Sequence, residues 1–193
     1  MNLHGLARGL VAAVNPEAAA TLRISAGAYS TAADGTRTPL YQTPAAFQGS
    51  ISGNTLTVDS VGAGVVAPGQ TIAGASVLPG TMITGRGTGS GGAGTYQVSR
   101  AQTVADEAMT AALTVRAQVQ DLSQRDLLQL NGLNVQGSQK TVYVGGMLSG
   151  VVRPTQKGGD LITLDDGTWL TTAVLEQWPD WCRVAVTLQM DGA

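Results

Sequence analysis

Cysteine, histidine and phenylalanine each occur once in this 193-residue chain, as Cys182, His4 and Phe47, and aromatic residues make up only 4%. One cysteine excludes an intramolecular disulfide framework. One histidine excludes a His–His metal site and leaves Cys182 without a general base unless His4 reaches it. Charge is also scarce: 12% of residues are charged, about half the ordinary share. The 11 Lys and Arg are scattered and the net charge is −2, so no basic run reads as a nucleic-acid footprint. The stretch Met1–Val14 carries His4 and Arg8 and is broken by Gly5 and Gly9, so it is not read as a signal peptide. No run of 18 apolar residues predicts a membrane span.

What is present is glycine, 26 residues of it, together with 43% hydrophobic residues. A chain of this size buries roughly 70% of its unfolded surface, enough for a core without staples. Low charge combined with abundant Gly, Thr, Ser and Val is expected when most of the surface is sheet and turn. It also suits a surface covered by neighbours, because charges desolvated at the centre of an interface are costly.

Leu3, Leu6, Leu10 and Val14 fall at helical spacing and predict a short N-terminal helix that Asn15-Pro16 ends. Residues 20–25 alternate as a strand, and Asp34-Gly35 signals a turn. Residues 39–47 read as a weak strand, demoted by Pro39 and Pro44. Between 48 and 112 the texture changes: half of the glycines lie there, with only five charged residues (Asp59, Arg86, Arg100, Asp106, Glu107). Short β-compatible runs at 54–58, 70–72, 81–84, 95–99 and 108–113 are separated by Gly or Pro. This predicts a small inserted all-β module at 48–112. The segments 39–47 and 113–120 would pair as a hairpin if the module were removed, and a hairpin tip tolerates insertion.

Beyond residue 113, Val115, Ala117 and Val119 alternate with polar neighbours as a half-buried strand. Ser123 and Asp126 have capping-box spacing, opening a helix over 124–130 that Asn131-Gly132 stops. Strands follow at 141–144 and 147–152 around Gly145-Gly146, and at 161–165 and 168–174 around Asp166-Gly167, a type I′ hairpin signal. A last strand at 183–189 places Val184, Val186 and Leu188 on one face. The expectation is a mainly β chain: an antiparallel β-barrel or sandwich formed by 1–47 and 113–193 together, with a short N-terminal helix and one short internal helix, plus the module at 48–112.

Candidate chemistry is thin. Gly87, Gly89 and Gly92 match GxGxxG, but a strand follows where a dinucleotide fold needs a helix, so a hairpin loop is the reading. Asp165 and Asp166 are adjacent and suit a turn. Asp160 could join them as a cation ligand, although the spacing matches no calcium loop. Cys182 reads as a small buried hydrophobe. Trp169, Trp178 and Trp181 hold most of the aromatic mass and read as core or interface, with Trp178 and Trp181 folded back over the barrel; a sugar-binding platform is the alternative. Arg125, Arg153, Lys157 and Arg183 could face DNA in a channel, and ordinary solvated faces explain them equally well. No catalytic, cofactor-binding or metal-ligating residue is assigned, and the chain is read as a non-enzyme.

Several stretches resemble a family of small structural proteins of tailed bacteriophages: residues 119–137 (VQDLSQRDLLQLNGLNVQG), 142–146 (VYVGG), 158–169 (GGDLITLDDGTW) and 174–184 (VLEQWPDWCRV). Residues 14–16 (VNP) and 33–41 (ADGTRTPLY) fit the same pattern, which covers both flanks and omits 48–112. The resemblance implies a head-completion or stopper-like neck protein. It implies a small β-barrel forming a homo-oligomeric ring of six copies between the portal or its adaptor and the tail terminator or tail tube. DNA would only pass through the channel, no membrane would be involved, and the protein would reside in the virion after assembly in the host cytoplasm. A tail terminator, another tail-assembly protein, or a receptor- or glycan-binding module are the alternatives.

Overall fold

The computed structural model describes residues 15–130, 137–151 and 158–189. The chain is mainly β and forms a large antiparallel sheet. Two compact units are present, one made of residues 1–41 and 115–193, the other of residues 42–114. The helix expected over the first 14 residues lies outside the described residues.

The strands of the first unit are β1 (Ala18–Arg23), β2 (Ser25–Thr31), β3 (Arg37–Tyr41), the last residues of β7 (Gly94–Gln120), β8 (Gln139–Gly145), β9 (Leu161–Leu164), β10 (Gly167–Gln177) and β11 (Trp181–Gln189). One helix, α1 (Gln124–Leu130), follows β7. Hydrogen bonding runs β1–β9–β10–β11–β8–β7, and β1 also pairs with β7, so the path returns to its start. The side chains explain this path. Ala20, Ala117, Val142, Val144, Ile162, Leu164, Trp169, Val184 and Val186 form one buried cluster, drawing at least one residue from each of the six strands. Alternation at period two sends these residues to one side and their neighbours to the other.

β2 and β3 stand apart as a two-stranded antiparallel ribbon, with Tyr29 opposite Pro39 and Thr31 opposite Arg37. Pro39 sits in a strand here because a ribbon leaves an edge on which its missing N–H goes unused. At the turn, Asp34 Oδ1 accepts the Thr36 N–H at 2.9 Å, which holds its carboxyl below the usual range.

The second unit contains β4 (Ala45–Ala63), β5 (Gln70–Gly74), β6 (Ile83–Arg86) and β7 up to Thr114. The short runs at 95–99 and 108–113 belong to one long strand, β7, and the run at 54–58 is the middle of β4. β4 doubles back on itself. Eight extended residues span roughly 26 Å, yet a Cβ on Gly49 would collide with the Thr57 carbonyl oxygen. The reversal is centred on Gly53, whose φ of 59° lies in the left-handed region that glycine enters without steric cost. β7 then pairs with both halves, Thr103 opposite Ser52 and Gln97 opposite Thr55. Phe47, Ile51, Leu56, Val58, Tyr96, Val98 and Met109 make a core separate from that of the first unit.

Several local expectations are revised by the pairing. Residues 37–41 pair with β2, while Ala45–Phe47 pair with Met109–Ala111, and Ala117–Gln120 pair with β8. The segments 39–47 and 113–120 are therefore not each other's partners as they stand: residues 42–44 separate β3 from β4, β3 pairs with β2 and β4 pairs with β7. Residues 147–151 form no strand, because β8 has β7 and β11 on its two edges and no edge remains for a hairpin partner. Leu164 faces Gly167, so the β9–β10 loop is Asp165-Asp166 rather than Asp166-Gly167.

Candidate functional site

The glycine-rich loop between β6 and β7 is closed around a buried tyrosine. The Tyr96 hydroxyl accepts the Gly91 N–H at 2.9 Å and donates to the Gly92 carbonyl at 2.7 Å. The Gly87 and Gly89 N–H groups both donate to the Thr95 carbonyl. A Cβ on Gly89 would overlap the Tyr96 ring. The glycines at 87 and 89 thus let the loop close on Thr95 and Tyr96, Gly92 contributes its carbonyl, and β7 follows rather than a helix.

Of the carboxylates singled out from sequence, Asp165 is exposed in the β9–β10 turn, while Asp160 and Asp166 are each held by hydrogen bonds of their own. Asp160 is buried and accepts the Ser25 N–H at 2.8 Å and the Ser149 N–H at 2.6 Å, fastening the base of the ribbon. Asp166 accepts Trp169 Nε1 at 3.0 Å and is paired with Lys140; the lysine foremost, then the indole N–H, holds its carboxyl below the usual range against partial burial. Lys140 Nζ also sits 4.7 Å from the Trp169 ring centroid. Among the described residues no group of three His, Cys, Asp or Glu could hold a metal. Cys182 is buried, which pushes its thiol up. His4, Arg153 and Lys157 lie outside the described residues. Of the other two cations singled out, Arg125 is exposed on α1, and Arg183 is bonded to Asp126 and Glu176. Among the described residues no helix is long and apolar enough to cross a membrane.

What the fold does bring together is aromatic. Register places Arg183 opposite Tyr143 and Trp181 opposite Gly145. Trp181 stacks on Tyr143, ring centroids 6.1 Å apart and planes at 30°. Trp178 stacks on Trp181, again at 6.1 Å, with planes at 16°. The Trp178 N–H donates to the Trp181 carbonyl and the Gly146 N–H to the Asp180 carbonyl, which fixes the turn that carries both indoles. Trp178 is 49% exposed rather than folded over the core, and Met147, next to Gly146, is exposed as well. Glu176 and Asp180 are exposed in the same turn region. An exposed indole with carboxylates near it suits packing against another surface, since Trp supplies large rigid area at low entropic cost.

The second exposed feature of this unit is the β2–β3 ribbon. From Ala26 to Leu40 only Tyr29 and Pro39 are even half-buried. Arg37 lies 4.7 Å over the Tyr29 ring, and Arg23 lies 5.5 Å over Tyr41, whose burial raises its hydroxyl pKa. Two-stranded ribbons are marginal in water by themselves, and their edges offer unpaired N–H and C=O groups to another chain.

The chain matches no protein-family model, no curated protein and no solved structure.

Proposed function

We propose that this chain is a non-enzymatic structural virion protein of a tailed phage, a neck component between portal and tail that works as a closed ring of copies of itself. The observation that carries this reading is the exposed β2–β3 ribbon. A ring contact is heterologous, so each subunit needs two different complementary patches. The ribbon offers one by strand addition, and the Tyr143–Trp181–Trp178 stack with Met147 offers another. The return of the hydrogen-bonded path from β1 to β7, around a core fed by six strands, supports a small β-barrel as the body of each subunit. The engagement of Asp126, Asp160 and Asp166 in structural bonds supports a mechanical rather than a catalytic role. A tail terminator or other tail-assembly protein would use the same surfaces.

Native mass spectrometry of the purified protein, with electron microscopy of the particles, tests this. The expected result is a ring of six copies and the protein at the neck of virions. A protein that stays monomeric at high concentration and is absent from virions overturns the reading. Trp178 favours one second reading, a glycan-binding virion module, because an exposed indole face can stack on a sugar ring. Glycan-array binding lost in Trp178→Ala or Trp181→Ala would support it. Loss of head-to-tail joining in the same variants, without glycan binding, would support the neck.

A further inference from the structure

Two exposed features of the first unit are opposite in charge and in side-chain size. The β2–β3 ribbon and its root carry cations. Arg23 rests on the Tyr41 ring and has no carboxylate partner among the described residues. Arg37 is exposed near the ribbon tip, over Tyr29. The ribbon's one carboxylate, Asp34, is turned to the Thr36 N–H. Alternation at period two puts Ala28, Ser30, Thr38 and Leu40 on the face opposite to Tyr29 and Pro39. All four are exposed, and three of them are small. Leu40, at 44% exposure, is the one large apolar side chain among them.

The turn between β10 and β11 is the reverse. Glu176 and Asp180 are exposed there. The nearest cation, Arg183, is already bonded to Asp126 and Glu176, so the Asp180 carboxylate is left without a bonded partner among the described residues. The apolar side chains are large: Trp178, and Met147 at 59% exposure. Small residues let a rigid indole lie flat against the ribbon, and Arg, Tyr and Trp are the types that carry most energy at interface centres. A chain that holds a surface and its complement at two different places meets the condition for a head-to-tail contact between identical copies. We propose that the ribbon of one copy seats on the Trp178 turn of a second copy, with Leu40 against Trp178 and Met147 and with Arg37 beside Asp180. This contact rests on the ring reading and names its two faces. Nucleic acid suits the ribbon less well, because phosphate affinity grows with each added cation and here Asp34 opposes the two present.

The test is a charge swap in the full chain, read by analytical ultracentrifugation. Arg37→Glu and Asp180→Arg each set like charges across the contact, and each is expected to weaken association at least tenfold. The double variant Arg37→Glu, Asp180→Arg restores opposite charges between neighbours and is expected to recover association to within about threefold of the natural chain. Single variants that associate like the natural chain overturn this contact alone and leave a ring to other faces. A double variant no better than the single ones overturns it as well. A natural chain that stays monomeric at every concentration overturns the contact and the ring together. A second measurement does not depend on the variants. A photo-reactive benzophenone amino acid in place of Leu40 is expected to link to residue 147 or to 176–181 of another copy, giving a product of two chain masses. Links to a different protein, to DNA or within a single chain overturn the proposal.

Discussion

Asp126 and Arg183 meet side by side, Oδ2 to Nη1 at 3.0 Å and Oδ1 to Nη2 at 3.2 Å, across 57 residues of sequence. The pair joins α1 to β11, and Glu176 on β10 takes the same guanidinium at 2.9 Å. Both members of the central pair are largely buried, so the paired-fork geometry outweighs what an exposed ion pair would give. For Arg183, burial disfavours the charged form, yet the hydrogen bonds and charge of Asp126 prevail and its pKa is raised.

Asp126→Asn is expected to destabilise the first unit by about 2–3 kcal/mol at neutral pH, as a charged hydrogen bond is lost and Arg183 keeps only Glu176. The Ser123 hydroxyl, then Arg183, holds the Asp126 carboxyl below the usual range. A depressed folded-state pKa adds stability above the unfolded value, near 4, and that stability fades as pH falls through the folded value. The gap between natural chain and variant in urea should therefore be full at pH 7 and narrow in acid. An equal gap at both pH values would show that the ion pair is not its source.

Tyr96→Phe removes one acceptor and one donor from the glycine loop while keeping the ring. The expected loss is about 1–2 kcal/mol, because the Gly91 N–H and Gly92 carbonyl are left at a part-buried site. Gly89→Ala should cost about 1–3 kcal/mol through overlap with the ring. Both losses should appear in thermal unfolding of the second unit. An unchanged midpoint in Gly89→Ala would mean that the loop is free to move off Tyr96.

Asp160→Asn keeps shape but offers one acceptor oxygen to two backbone N–H groups. The Ser25 and Ser149 amides should lose protection from hydrogen exchange together, by a factor corresponding to about 1.5–3 kcal/mol. Protection lost at Ser149 alone would show that the ribbon is held by something else.

The Lys140–Asp166 pair is a contrasting case. Its side chains are 30% and 47% exposed, so Lys140→Gln should cost less than about 1 kcal/mol. The sensitive readout is the indole N–H resonance of Trp169, which donates to Asp166 and should shift as Asp166 titrates below its usual range. A pH-independent resonance would exclude the bond.

Local chemistry was readable from the sequence where it is local. Ser123 and Asp126 mark the start of α1 by their spacing, and Gln124–Leu130 is the helix found. The alternation of Val115, Ala117 and Val119 places the end of β7, and the glycine run at 85–94 is a hairpin loop. What could not be read was which strand lies beside which. Ala45 faces Ala111 and Arg37 faces Thr31, and neither choice is written in residues 37–47 themselves. The aromatic stack needs Trp181 opposite Gly145, a register set by two strands that are 36 residues apart. The reversal of β4 at Gly53 carried only a Gly-Asn signal, which the runs on either side outweighed.

The facing of Ala45 and Ala111 has one more consequence. Paired residues on adjacent antiparallel strands have Cα atoms roughly 5 Å apart, so the first and last residues of the second unit's ladder lie within reach of a two- or three-residue bridge. The unit's two ends are therefore close enough to be joined there, which is the geometry that a circular permutation of the unit needs.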